Sequence, residues 1–165
     1  MENIQSTQTA QPPKATPRDF FLHLITFILL YAAVISFITL IFQYIALAFP
    51  NPLEGVYALA AARKTIQWMV SSLIVEFPLF LWLSWFLSKT YQKYPEKLRI
   101  KPRKWLIYLT LFVAALVIIG DLVTLIYNLL GGDYTGAFVL KVLTVLFTIG
   151  LVFWYYLWDV RVHGE

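Results

Sequence analysis

Three ionisable side chains stand in long stretches that carry no other charge: Glu76 in Thr65–Ser88, Asp121 in Trp105–Leu130 and Lys141 in Ala137–Trp158. An acid in hydrocarbon costs about 2.5–3.5 kcal/mol on insertion scales, so it is held protonated, paired or beside water. Glu76 lies eleven residues into its stretch and Asp121 nine residues from the far end of its own, so both reach a similar depth near mid-membrane. Two carboxylates placed close together share a proton, which would make a proton-binding station. Lys141 is four residues into its stretch, and its side chain slants toward the start of its own helix. That direction brings it nearer Asn128, Asp133 or water than Asp121. With Gln43 and Asn128 as neutral partners, Glu76, Asp121 and Lys141 form the expected intramembrane polar cluster. Pro78, two residues after Glu76, deprives the Ile74 carbonyl of its helical donor, and the resulting kink would open a wet pocket beside Glu76.

Each stretch also carries a polar stripe at helical spacing: Ser36, Thr39 and Gln43; Thr65, Ser72 and Glu76; Asp121, Thr124 and Asn128; Lys141, Thr144, Thr148, Tyr155 and Asp159. The hydroxyls among them are expected to serve interhelical hydrogen bonds worth about 0.6 kcal/mol each. Enzymatic constellations fail in turn. The chain has no cysteine, so thiol chemistry and cysteine-ligated metals are excluded. His23 and His163 lie at the edges of the apolar stretches, where they match neither haem nor zinc spacing. Asp159, His163 and Glu165 read as a solvated tail. Gly131-Gly132 is a helix stop without a phosphate-binding fingerprint around it. The expectation is a non-enzyme without cofactor or metal.

The elements that carry these residues follow from composition. The 165 residues are 60% hydrophobic and only 13% charged, with a mean hydropathy of +0.72, whereas soluble domains carry about 25% charged residues. Residues 20–49 hold no charge and would make about 45 Å of helix, too long for a signal peptide's apolar region of about 7–15 residues. Residues 65–88, 105–130 and 137–158 each exceed the roughly 20 residues a spanning helix needs. Period-2 alternation is absent, which argues against a barrel. The predicted fold is all-α, an integral membrane four-helix bundle over residues 18–161, with connections of about fifteen, sixteen and six residues. Residues 1–17, rich in Gln, Thr and Pro, read as a disordered tail, and 162–165 as a second tail.

Seven of the thirteen basic residues fall in Lys89–Lys104: Lys89, Lys93, Lys97, Arg99, Lys101, Arg103 and Lys104. Cytoplasmic loops concentrate Lys and Arg, so this loop and both termini are expected inside a prokaryotic cytoplasmic membrane. Juxtamembrane basic residues attract anionic lipid at about 1 kcal/mol each, which makes lipid, and not nucleic acid, the expected partner of this loop. Trp82, Trp85, Trp105, Trp154 and Trp158 mark one boundary layer and Trp68 the other. Shifts of 85 and 72 residues lay the first span on the third and the second on the fourth, as in a tandem duplication of a two-helix hairpin.

The stretches Arg103-Lys104-Trp105-Leu106-Ile107-Tyr108, Gly120-Asp121-Leu122, Phe138 with Lys141-Val142-Leu143, and Phe153-Trp154-Tyr155-Tyr156-Leu157-Trp158-Asp159-Val160-Arg161 are distinctive. With Pro17-Arg18-Asp19-Phe20-Phe21 and Phe77-Pro78, the chain resembles a bacterial family of small membrane proteins known only as a domain of unknown function. The resemblance covers about residues 17–161 and implies a four-span inner-membrane bundle without an assigned activity. Small size and abundant interhelical polar handles point to an accessory or assembly subunit, bound to its own copies or to another membrane protein. The alternative is a small proton- or solute-coupled carrier or channel built on Asp121, Glu76 and Lys141.

Overall fold

Lipid offers the backbone no hydrogen bonds, so each apolar stretch must satisfy its own N–H and C=O groups as a helix. A computed structural model describes residues 16–50, 56–93, 101–132 and 135–163. They form α1 (Pro17–Ala48), α2 (Val56–Lys93), α3 (Lys101–Gly131) and α4 (Gly136–His163), with no strand among the described residues. All four are long and apolar enough to cross a membrane. The protein is an all-α, multi-pass membrane four-helix bundle.

The helices outrun the apolar stretches that announce them. α2 begins nine residues before Thr65 and ends five after Ser88, because Ala60-Ala61-Ala62, Arg63, Lys64, Lys89 and Lys93 are good helix formers. The stretches between helices therefore shorten to residues 49–55, 94–100 and 132–135. The expected N-terminal tail lies outside the described residues except for its last two members, which belong to the helix start. Thr16 caps α1: its hydroxyl accepts from the Asp19 N–H at 3.3 Å, and the Asp19 carboxylate accepts from the Thr16 N–H and hydroxyl at 3.3 and 2.8 Å. Pro17 occupies the first helical position, where no N–H is needed. At the other terminus Val162 and His163 continue α4 and do not form a tail. Gly132 ends α3 with φ 75°, a left-handed conformation that suits glycine. Gly136 opens α4 with its Cα against the Phe49 ring, 3.7 Å from where a Cβ would stand.

α1 packs along α2 and also against α4 and α3, while α3 pairs with α4. Two antiparallel hairpins result, and they are not equivalent, since α1 touches all three other helices. The core is Phe27, Leu30, Leu106, Ile107 and Tyr156, with Phe80 and Val152 at its edge. The Phe27 and Tyr156 rings stack at 5.4 Å between centroids. Buried residues concentrate in the half of the bundle that holds Pro17, Lys93, Lys101 and His163, here the terminal half. In the opposite half Ile45 and Val142 are the buried apolar residues among those described. The Trp side chains are all exposed, as an aromatic belt on a lipid-facing surface requires.

Candidate functional site

Among the described residues, the most polar buried place lies at the extremity of the terminal half. Asp19 and His23 are one turn apart on α1, so His23 Nδ1 meets the Asp19 carbonyl at 2.6 Å. A carbonyl only accepts, so Nδ1 carries the proton. In the neutral ring Nε2 then accepts from the hydroxyl of Tyr91 on α2. The Arg103 guanidinium on α3 stands 5.2 Å from the centre of the Tyr91 ring. It donates to Asp159 on α4 at 2.7 Å. The sequence of contacts Asp19–His23–Tyr91–Arg103–Asp159 thus crosses all four helices. His23 is 3% exposed, and the Arg103 and Asp159 side chains are 11% and 18% exposed. A pair so placed loses most of its hydration, so each charge depends on the other.

Below this roof a cavity of about 100 Å³ runs inward. His23, Tyr91, Arg103 and Asp159 line it at the level of the helix ends; Phe27, Ile107 and Tyr156 lie about one turn farther in, and Ser84 and Phe80 deeper still. The Thr26 hydroxyl turns back to the Leu22 carbonyl at 2.8 Å. One turn deeper, Tyr31 and the fully buried Thr110 share a hydrogen bond at 2.8 Å, which ties α1 to α3.

The residues singled out by the sequence lie elsewhere and take separate partners. Glu76 accepts from Ser36 of α1 at 3.1 Å. Beside it an open groove of about 270 Å³ runs over Trp68, Ser71, Ser72 and Val75, all on α2. Pro78 sits inside α2, which continues through it. Lys141 lies 5.8 Å from the centre of the Phe42 ring, and Asn128 donates to the Thr124 carbonyl of its own helix at 2.8 Å. Gln43 is half-buried on α1. One carboxylate oxygen of Asp121 is buried without a hydrogen-bond partner among the described residues, and so is the Thr148 hydroxyl. Among the basic residues, Lys89 stacks over the Trp85 ring at 3.7 Å, and Lys93 is exposed while Lys104 is half-exposed. Arg103 turns inward to Asp159. Lys97, Arg99 and Asp133 lie outside the described residues, and of Lys101 only the backbone is described.

Residues 19–156 match the family described as a domain of unknown function, DUF5671. The chain belongs to this family. No curated protein and no solved structure matches it. The DUF5671 match takes in Asp19, His23, Tyr91 and Arg103 and stops three residues before Asp159. Sequence reasoning passed over this DUF5671 cluster because its members sit at four helix ends, far apart in the chain, where single charges read as solvated. Two signals were present. Thr16-Pro17-Arg18-Asp19 is a capping-box pattern that fixes where α1 starts. Arg103 and Asp159 also sit at matching distances from the ends of an antiparallel pair.

Proposed function

We propose that this protein is a non-enzymatic accessory or assembly subunit of a prokaryotic cytoplasmic membrane, with both termini inside. The observation that carries this reading is the sparse packing of the half of the bundle opposite the termini, where among the described residues Ile45 and Val142 are the buried apolar side chains and where Asp121 and Thr148 each hold a buried oxygen without a partner. Asp121 is ten residues before Gly131 and Thr148 twelve after Gly136, about 15 and 18 Å along neighbouring antiparallel helices. They therefore share one depth, in the half of the bundle that buries little of its own. A helix from a second polypeptide can supply the packing that this half lacks; the Asp121 oxygen, shielded by the chain's own helices, gains a donor once they part to seat it. Another membrane protein, or a further copy of this chain, fits that role. The basic residues of 89–104 hold the assembly against anionic lipid, with Lys89, Lys93 and Lys104 on the surface.

The carrier alternative has less support. Glu76 bonds Ser36, Lys141 faces Phe42, and Asp121 keeps an oxygen to itself, so among the described residues no chain of groups joins the three.

The experiment is isolation of the tagged protein in mild detergent, with the mass and composition of what accompanies it. A stoichiometric companion that is lost in Asp121→Leu supports the proposal. A monomer that moves protons across sealed liposomes, and stops doing so in Asp121→Asn, would replace it with the carrier.

A further inference from the structure

The groove beside Glu76 has the shape that a neighbouring helix requires. On α2, Trp68, Ser72 and Glu76 are spaced by four residues, and so are Ser71 and Val75. Rows of that spacing are the ridges of a helix surface, and a second helix packs by laying a ridge of its own between them. Here the surface dips, because Ser71 and Ser72 are small, and about 270 Å³ stands open beside Trp68, Val75 and Glu76. The Ser71 hydroxyl turns back to the Gln67 carbonyl at 2.8 Å, so it is satisfied within α2 and does not obstruct the groove. α2 packs on α1, whereas Trp68 and Val75 are exposed. This flank of α2 therefore lies open to whatever stands beside the bundle.

Charge decides what fits there. Glu76 accepts from Ser36 at 3.1 Å and has no cationic partner among the described residues, where the ion pair is Arg103–Asp159. A carboxylate has about four acceptor sites, so Glu76 can take a cation and keep Ser36. Lys141 does not serve it: its ammonium faces Phe42 at 5.8 Å, and Phe42 stands about 120° around α1 from Ser36. Trp68 belongs to the boundary layer of this half, and Glu76 lies eight residues farther in, about 12 Å along the helix axis. The ammonium of a lipid stays at headgroup level. A lysine or arginine on a membrane-spanning helix reaches that depth, and its helix supplies the ridge that the groove lacks.

We infer that the Trp68–Ser72–Glu76 face of α2 seats a transmembrane helix of a partner protein that carries a basic side chain at mid-membrane depth, paired with Glu76. The inference rests on the reading of this protein as an assembly subunit and names the chemistry of its companion. It adds a point of contact on α2 to the one at Asp121 and Thr148.

The test places the full chain in lipid vesicles with a labelled synthetic helix of about 20 leucine and alanine residues bearing one central lysine, and reads association by energy transfer. One control helix carries leucine in place of the lysine, and another carries the lysine near one end. The central-lysine helix should associate about tenfold more tightly than either control, the scale of interhelical polar contacts in model peptides. Glu76→Gln keeps an acceptor for Ser36 and should lower the association to that of the controls. Ser71→Leu/Ser72→Leu fills the groove, keeps the carboxylate and should do the same. Thr144→Val, in the same half but on α4, should leave it unchanged. Thermal melts verify that each variant is folded, and one that is not is replaced by Glu76→Ala or Ser72→Val. Equal association of the three helices, the behaviour of a Glu76 that stays protonated in lipid, would overturn the assignment, as would association indifferent to Glu76→Gln. Should the three helices associate alike while the isolated protein retains a stoichiometric companion, the seat on α2 falls and the subunit reading stands. Isolation as a monomer that moves protons would overturn both.

Discussion

Breaking the Arg103–Asp159 pair from one side should destabilise the bundle far more than a surface ion pair would. Exposed pairs contribute about 0–1 kcal/mol. Here the bond is 2.7 Å long and the two side chains keep only 11% and 18% of their exposure. Removing one partner of a buried pair leaves an uncompensated charge and costs about 3–5 kcal/mol; the residual exposure places this case near 3. Arg103→Met alone and Asp159→Leu alone should therefore each cost about 3 kcal/mol, or roughly two decades in the folding equilibrium constant. The double variant removes both charges and replaces them with apolar volume, so it should lie within about 1 kcal/mol of the parent. The coupling read from the four proteins is then several kcal/mol, well outside the additive range. Reversible unfolding in mixed micelles with rising dodecyl sulfate supplies the four stabilities. A coupling under about 1 kcal/mol would show that water reaches both groups and would refute the picture of a closed polar roof.

Asp121→Leu should stabilise the isolated protein by up to about 3 kcal/mol on insertion scales while weakening its association with any companion, as read by melting and co-purification on the same sample. Thr110→Val removes the partner of Tyr31 at the centre of the α1–α3 contact; unfolding should show a loss of about 0.6–1.7 kcal/mol. Replacing Lys89, Lys93 and Lys104 by Gln should cost about 3 kcal/mol of attraction to anionic lipid, read as a loss of annular anionic lipid in nanodiscs of mixed composition.

The fold was legible because its signal is length. Thirty uncharged residues before Pro50 and three further apolar runs admit helices and little else. Helix ends were less legible, since span length is set by hydrocarbon whereas helix length is set by backbone propensity. Ala60–Ala62 and Lys89–Lys93 are poor in the first and good in the second. The candidate site was hardest, because the eye goes to charges in the middle of apolar runs. Glu76, Asp121 and Lys141 stand out in one dimension, yet the packed bundle gives them three different surroundings. Asp19, His23, Tyr91, Arg103 and Asp159 look ordinary in one dimension. They matter because antiparallel helices bring four distant ends to one level, which no local window contains. Arg103 shows the difficulty most plainly: among seven neighbouring basic residues it is unremarkable in type, and only its position in the first turn of α3 turns it inward.

The pairing of Arg103 with Asp159 also bears on how the protein is made. These partners are separated by 56 positions, and α1 leaves the ribosome before any helix it will hold together. His23 can find Tyr91 as soon as α2 has been threaded into the bilayer. The guanidinium of Arg103 must wait until nearly all of α4 has been synthesised. Until then the nascent chain carries that guanidinium at the start of α3 without the acid that α4 brings to it. The final turns of α4 thus close a bond whose other half was laid down one helix earlier, at the start of α3.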